Sequence, residues 1–273
     1  MYINEENSII ELNSYKVWNT TTIMVWVHGN ELSWVNAMLD ILKDIKVISW
    51  KVYVIFANLK ALEINKRFYE KDLNRCFIKN NIWKTYEDKR ANEIIPYLEK
   101  SNYLLDIHNT LNEKNSIPFL ISEHKNLWKY FDVNYVISWF DKLHPGWSDG
   151  YTNSIWKIGL CLEVWNLFDI KWQKIAKTGI LNFLAFTWNI SWIPKINESK
   201  KFINFNYIYK NKTMDFRFSK PFLDFEKVKE WDIICYDGWK TIEAPYDSYI
   251  LFSNIPNKIW NETFCLGKSS NSI

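Results

Sequence analysis

Glycine is what this sequence is short of. Its 273 residues hold 7, where ordinary usage of about 7% would supply roughly 19. A folded chain needs residues that tolerate φ > 0 at its turns, so other residues must stand where glycine is expected. Cysteine is sparse too: Cys76, Cys161, Cys235 and Cys265 lie far apart and form no C-x-x-C pair. That spacing argues against a disulfide framework and against zinc–thiolate ligation, and reads as free thiols in a reducing, cytoplasmic compartment. No apolar run reaches membrane-spanning length. The opening residues MYINEENSII lack the basic region and apolar run of a secretory leader. Neither charge dominates: 34 basic and 31 acidic side chains are interspersed, for a formal net charge of +3, which leaves no nucleic-acid footprint.

What the sequence has in excess is tryptophan, 16 residues of it. Several stand at turn-like places. Trp239 follows Gly238 in YDGWK, Trp147 follows Pro145-Gly146, Trp26 and Trp34 bracket His28-Gly29-Asn30-Glu31, and Trp50 separates two apolar runs. Reading many of them as glycine brings the glycine content from 7 towards 23, an ordinary value. A code in which UGA specifies glycine, translated with a table that reads it as tryptophan, produces this pattern. The Lys-, Asn- and Ile-rich composition suits an AT-rich genome. The competing reading is an aromatic binding surface of the sugar-binding kind, which would not place tryptophan so regularly at turns.

Nearly half of the residues are hydrophobic and about a quarter charged, so the chain is globular with a sizeable core. Its first two-thirds alternate in period. Strands are expected at 22–27, 51–57, 103–107, 118–122 and 158–164. Amphipathic helices are expected at 33–44 (apolar face Val35, Met38, Leu39, Leu42), 86–100 and about 168–186. This alternation predicts an α/β domain over 1–195, with a mainly parallel mixed sheet flanked by helices. After 196 only short strands with turn signals follow, at 202–209, 214–218, 233–236, 241–244 and 249–252, which predicts a small β-rich domain over 196–273. The polar end KSSNSI reads as frayed.

In such sheets chemistry sits beyond the carboxyl ends of the strands, and three candidate residues fall there. His28 and Glu31 are three apart in one loop after a strand; imidazole and carboxylate both suit zinc. His108 ends another strand and is a candidate third ligand. Asp106, two residues earlier on the same face, can accept the other N–H of a ligand histidine. Three protein ligands leave one zinc position open, the pattern of a catalytic site. Glu163 ends an apolar strand, where burial raises a carboxyl towards the range of a general base. Arg67 and the run Asp72-Leu73-Asn74-Arg75 supply groups that handle anions.

In this order VHGNE, Arg67, DLNRCF, DIHNT and LEV-W-N resemble the aspartoacylase/succinylglutamate desuccinylase family, relatives of the zinc carboxypeptidases. The likeness covers about Ile23 to Asn166, and EAPYDSYILF resembles the family's second, β-rich domain. It implies a zinc-carboxypeptidase-like fold, one Zn2+ held by His28, Glu31 and His108, and Glu163 as general base and then acid. It implies that Arg67 polarises the scissile carbonyl and that Asn74 and Arg75 bind the substrate α-carboxylate. Tyr151 matches a family tyrosine near the acyl side of the pocket. Where the aspartoacylase branch has an arginine four residues later, this chain has Ile155, which departs from N-acetylaspartate specificity. Other departures are Trp26, Trp34 and Trp165, at family glycine positions. The expected activity is hydrolysis of a small N-acyl amino acid, with neither nucleic acid nor membrane as partner. The alternatives are a zinc carboxypeptidase on short or cell-wall peptides and a non-catalytic ligand-binding protein with a vestigial site.

Overall fold

The computed structural model describes residues 6, 8–14, 19–31, 33–79, 82–109, 117–124, 126–140, 145–164 and 170–271. The α/β part runs β1 (Ile9–Asn13), β2 (Thr20–Val25), α1 (Ser33–Asp44), β3 (Lys51–Phe56), α2 (Leu59–Glu63), α3 (Tyr86–Lys100), β4 (Tyr103–Asn109), β5 (Phe119–Ser122), β6 (Tyr135–Ser138), α4 (Ser148–Ser154), β7 (Ile158–Val164) and α5 (Ile170–Phe186). Strands alone follow among the described residues: β8 (Lys201–Lys210), β9 (Phe216–Phe218), β10 (Glu226–Val228), β11 (Ile233–Asp237), β12 (Lys240–Glu243), β13 (Ser248–Leu251) and β14 (Glu262–Ser270).

The main sheet has eleven strands in the order β1-β3-β2-β4-β7-β5-β6-β8-β14-β13-β10. Its centre, β3-β2-β4-β7, is parallel. These strands are almost wholly buried, as apolar runs covered on both faces must be. On one face Ile23, Val25, Leu105, Leu160 and Leu162 pack with Met38 and Ile41 of α1 and Ile180 and Phe183 of α5. On the other, Met24, Ile55 and Leu104 pack with Ala91, Ile94 and Leu98 of α3. That helix begins in a capping box: Asp88 N–H donates to the Thr85 hydroxyl and Thr85 N–H to the Asp88 carboxylate. Of the apolar face expected on α1, Val35 lies among the side chains outside the described set; the rest turns inward.

The expected break at 195/196 marks a change of element type, but it does not interrupt the sheet. β8 pairs in parallel with β6, Val136 opposite Phe202, and β14 continues from β8. Only β12-β11-β9 forms a separate three-stranded sheet. The frayed end expected for KSSNSI is corrected over Lys268–Ser270, which pair with Asn204, Ile203 and Phe202. A ladder of backbone hydrogen bonds needs no apolar side chain to form. The strands β1, β6, β10 and β14 were not expected at all. No helix of the described residues is long and apolar enough to cross a membrane.

Candidate active site

Parallel pairing brings the ends of β2, β4 and β7 to one edge of the sheet, with His108 directly opposite Glu163 in the ladder. The loop after β2 carries His28 and Glu31 to the same place. It runs close over α2: a Cβ on Gly29 would sit 2.0 Å from the Ala61 carbonyl carbon, so only glycine fits there.

Three ligand atoms converge. His28 Nδ1 lies 2.6 Å from Glu31 Oε1, His108 Nδ1 lies 3.4 Å from Glu31 Oε2, and the two Nδ1 atoms are 3.2 Å apart. All three side chains are buried, and together they form a group that could hold a metal ion. The outer nitrogen of each ring is held by a carboxylate: His28 Nε2 by Asp72 Oδ1 at 3.1 Å, His108 Nε2 by Asp106 Oδ2 at 3.0 Å. A proton held there leaves each Nδ1 lone pair facing the centre. The two longer separations are close to the ligand-to-ligand edge of about 3.3 Å in a tetrahedron with 2.0–2.1 Å bonds. The donor set therefore fits zinc.

The residues around this group are themselves tied down. Asp106 accepts from the Ser148 hydroxyl. Asp72 accepts from Arg67 Nε and Nη2, both at 3.1 Å, through its second oxygen, so it joins Arg67 to His28. The loop before it hangs on the buried carboxylate of Glu87, which accepts from the N–H groups of Tyr69, Glu70 and Lys71. Glu31 Oε2 also accepts from Asn109 N–H at 3.1 Å. Asn74 is buried, with its amide 3.3 Å from His108 Nε2.

Burial pushes the Glu163 carboxyl up to about 7, against the lowering pull of His108. Its Oε2 is buried without a hydrogen-bond partner, so the group is free to take a proton. Glu31 behaves oppositely: burial would raise it, but His28 and His108 beside it bring it down to about 2. The contrast is a carboxylate fixed as an anion next to one poised to exchange a proton.

A cavity of about 740 Å³ opens over the group. His28, Glu31, Arg67, Asn74, Arg75, His108 and Glu163 all line it. The Arg75 guanidinium lies 5.7 Å from the Trp147 ring centre. Another wall comes from the segment between β13 and β14 and from the start of β14, and includes Phe252, Asn254, Lys258, Trp260, Glu262 and Phe264.

Tyr151 requires a correction. It packs on α4 in the cluster of Met24 and Leu104 under α3, its hydroxyl donates to Glu99 at 2.9 Å, and it does not line the cavity. Ile155 packs against the same cluster. Tyr151→Phe should therefore leave kcat and KM at parent values while costing about 0.5–1.5 kcal/mol of stability. A raised KM in steady-state kinetics would return Tyr151 to the site.

A family model described as the succinylglutamate desuccinylase/aspartoacylase catalytic domain matches residues 18–187. The chain belongs to this family. The matched span holds every residue of the metal-fitting group, together with Arg67, Asn74, Arg75 and Glu163, and stops short of the C-terminal wall. A probable aspartoacylase from a Nostoc species is 30% identical over 209 residues, 66% of this chain and 68% of its own length. Another from Trichodesmium erythraeum is 26% identical over 162 residues, with 54% of this chain and 55% of the relative covered. Among solved structures, succinylglutamate desuccinylase from Vibrio cholerae superposes with TM-score 0.78 at 15% identity, covering 96% of this chain and 85% of that one. The Vibrio parahaemolyticus enzyme gives 0.75 at 18% identity, covering 96% and 86%. These likenesses show a shared α/β fold with a large mixed sheet.

Proposed function

We propose that this family member is a zinc-dependent amide hydrolase that cleaves an N-acyl amino acid to a carboxylate and a free amino acid. One observation carries the reading: His28 Nδ1, Glu31 and His108 Nδ1 converge beside the buried, proton-ready Glu163 on the wall of one cavity. The names of the relatives, aspartoacylase and succinylglutamate desuccinylase, point to the same substrate class. When bound, zinc polarises the scissile carbonyl and makes water acidic.

The rest falls to the side chains. Glu163 takes the proton of the attacking water and then delivers it to the departing amine nitrogen, so one group serves as base and acid. Arg67, held in place by Asp72, faces the oxyanion as it develops. Asn74 and Arg75 bind the α-carboxylate, which fixes the amide between Arg67 and Glu163. Asp72 and Asp106 hold the two imidazoles in the tautomer that binds metal. The reading includes glycine, encoded by UGA, at a share of the tryptophan positions.

The test is metal content followed by turnover. Purified protein should contain one zinc per chain, release an amino acid from N-acyl amino acids, lose that activity on chelation and regain it with added zinc. Protein that binds no zinc, or that cleaves short peptides and no acyl amino acid, overturns the proposal.

A further inference from the structure

Eleven described residues other than glycine have φ in the left-handed region, and seven of them are tryptophan: Trp26 (59°), Trp50 (73°), Trp139 (69°), Trp156 (63°), Trp188 (61°), Trp231 (71°) and Trp260 (67°). No described tyrosine does so, and of the described phenylalanines only Phe225 and Phe252 do. Aromatic bulk therefore does not explain the pattern. A Cβ in this conformation crowds the following carbonyl, and glycine alone escapes that cost.

At three of these places backbone hydrogen bonds demand the turn. At the end of α4, Trp156 N–H donates to Asn153 O and Lys157 N–H to Thr152 O; at the end of α5, Trp188 N–H donates to Ala185 O and Asn189 N–H to Leu184 O. Both are Schellman motifs, and both put tryptophan at the position that glycine usually fills. Trp231 is the third residue of a turn closed by Asp232 N–H to Lys229 O, where φ > 0 again calls for glycine.

At several of these places the indole gains little in return: Trp156 is 97% exposed, Trp188 73% and Trp231 71%. Trp260, 63% exposed, lies under Lys212 Nζ at 3.7 Å, and Trp26 packs on Phe56 with ring centres 5.2 Å apart but buries its indole N–H without a hydrogen-bond partner. Phe225 and Phe252 differ: Phe225 stacks on Tyr135 at 4.0 Å, and Phe252 packs edge-on to Phe119 and Phe140. Other tryptophans are built in. Trp128 packs edge-on to Phe202, Trp147 lies against Phe140 and Arg75, Trp172 on α5 packs against the core, and Trp192 donates to Asn182 Oδ1 at 2.9 Å.

We propose that the native protein carries glycine at positions 26, 50, 139, 156, 188, 231 and 260, and true tryptophan at 128, 147, 172 and 192. Two of the seven bear on the site. Position 26 leads into the loop of His28, and position 260 stands in the C-terminal wall of the cavity, which recedes when its side chain is a hydrogen.

Peptide mass spectrometry on protein purified from its own cells reads the positions directly. Glycine at the seven and tryptophan at the four is the expected result; tryptophan at the seven overturns the proposal. The recombinant comparison is independent of the source. A chain with all seven replaced by glycine should melt higher than the chain as written, by on the order of 10–20 °C, or fold where the latter does not. Trp128→Gly should instead lower Tm. A seven-glycine chain that melts at the same temperature or lower, or a Trp128→Gly chain that melts higher, overturns the proposal.

Discussion

Glu163→Gln should lower kcat by about 10²–10⁴-fold while leaving zinc content unchanged, since it removes proton transfer and keeps the shape of the side chain. The pH profile separates this from a loss of binding. In the parent, the carboxyl that burial raises to about 7 must be ionised to accept a proton, so kcat/KM falls as the pH drops. The charge of a bound cation works against the raised value and places this acid limb at or below about 7. The variant has no carboxyl to protonate and should lose the limb. A variant with parental kcat, or one that keeps the acid limb, contradicts the role of Glu163.

The parts of the site that could be read from sequence are those that lie close together along the chain. His28 and Glu31 share one loop, and Asp106 and His108 are two apart on one strand, so spacing alone puts each pair on one side. Joining the pairs required parallel pairing of β2 with β4, which the alternation of strands and helices implied. Asp72 was legible only as part of a motif with Asn74 and Arg75. That it orients His28 depends on a loop anchored by Glu87, and no local pattern records a contact 44 residues apart. The wall from Phe252 to Phe264 carries no motif; short β segments announce a strand but not what it faces. Tyr151 failed for a related reason. Its place in the sequence resembles the family tyrosine, but α4 turns it under α3 instead of into the cavity. Of the tryptophans at turn-like places, Trp26 and Trp50 have φ > 0, whereas Trp147 is packed beside Arg75 with φ −75°. Trp165 lies outside the described residues, as does the side chain of Trp34.

The second large effect is expected from His108→Ala. It removes one of the three side chains proposed to hold zinc, so zinc content and activity should both fall to background. It also leaves Glu31 and Asp106 buried without their shared partner, a type of change that costs about 3–5 kcal/mol. The loss should depend on pH in a defined window. Burial opposes charge on His108, but Asp106 and Glu31 outweigh it and raise its pKa well above 6.5; this stabilisation is complete below 6.5 and fades as the pH rises through the raised value. Glu31, brought from 4.5 down to about 2, contributes above 4.5 and loses its contribution as the pH falls towards 2. In chelator, the difference in Tm between parent and variant should therefore be greatest between 4.5 and 6.5 and shrink on either side. A difference that is flat from pH 3 to 9 would show that the histidine fills space without balancing charge.

The sheet order has a consequence for how the protein comes into being. β14 is the last described strand to leave the ribosome, yet it lies between β8 and β13 and carries Glu262, Phe264 and Cys265 into the cavity wall. The hairpin partner β13, and β10 beyond it, can join the main sheet only through this late arrival. Pairings between distant parts of a chain are slow to form and leave edges exposed while they wait. The metal-fitting group at the ends of β2, β4 and β7 can thus assemble early, on the nascent chain, while the cavity stays open on one side. Competence to enclose a substrate thus waits on β14: until that strand pairs, the group that fits a metal has no C-terminal wall facing it.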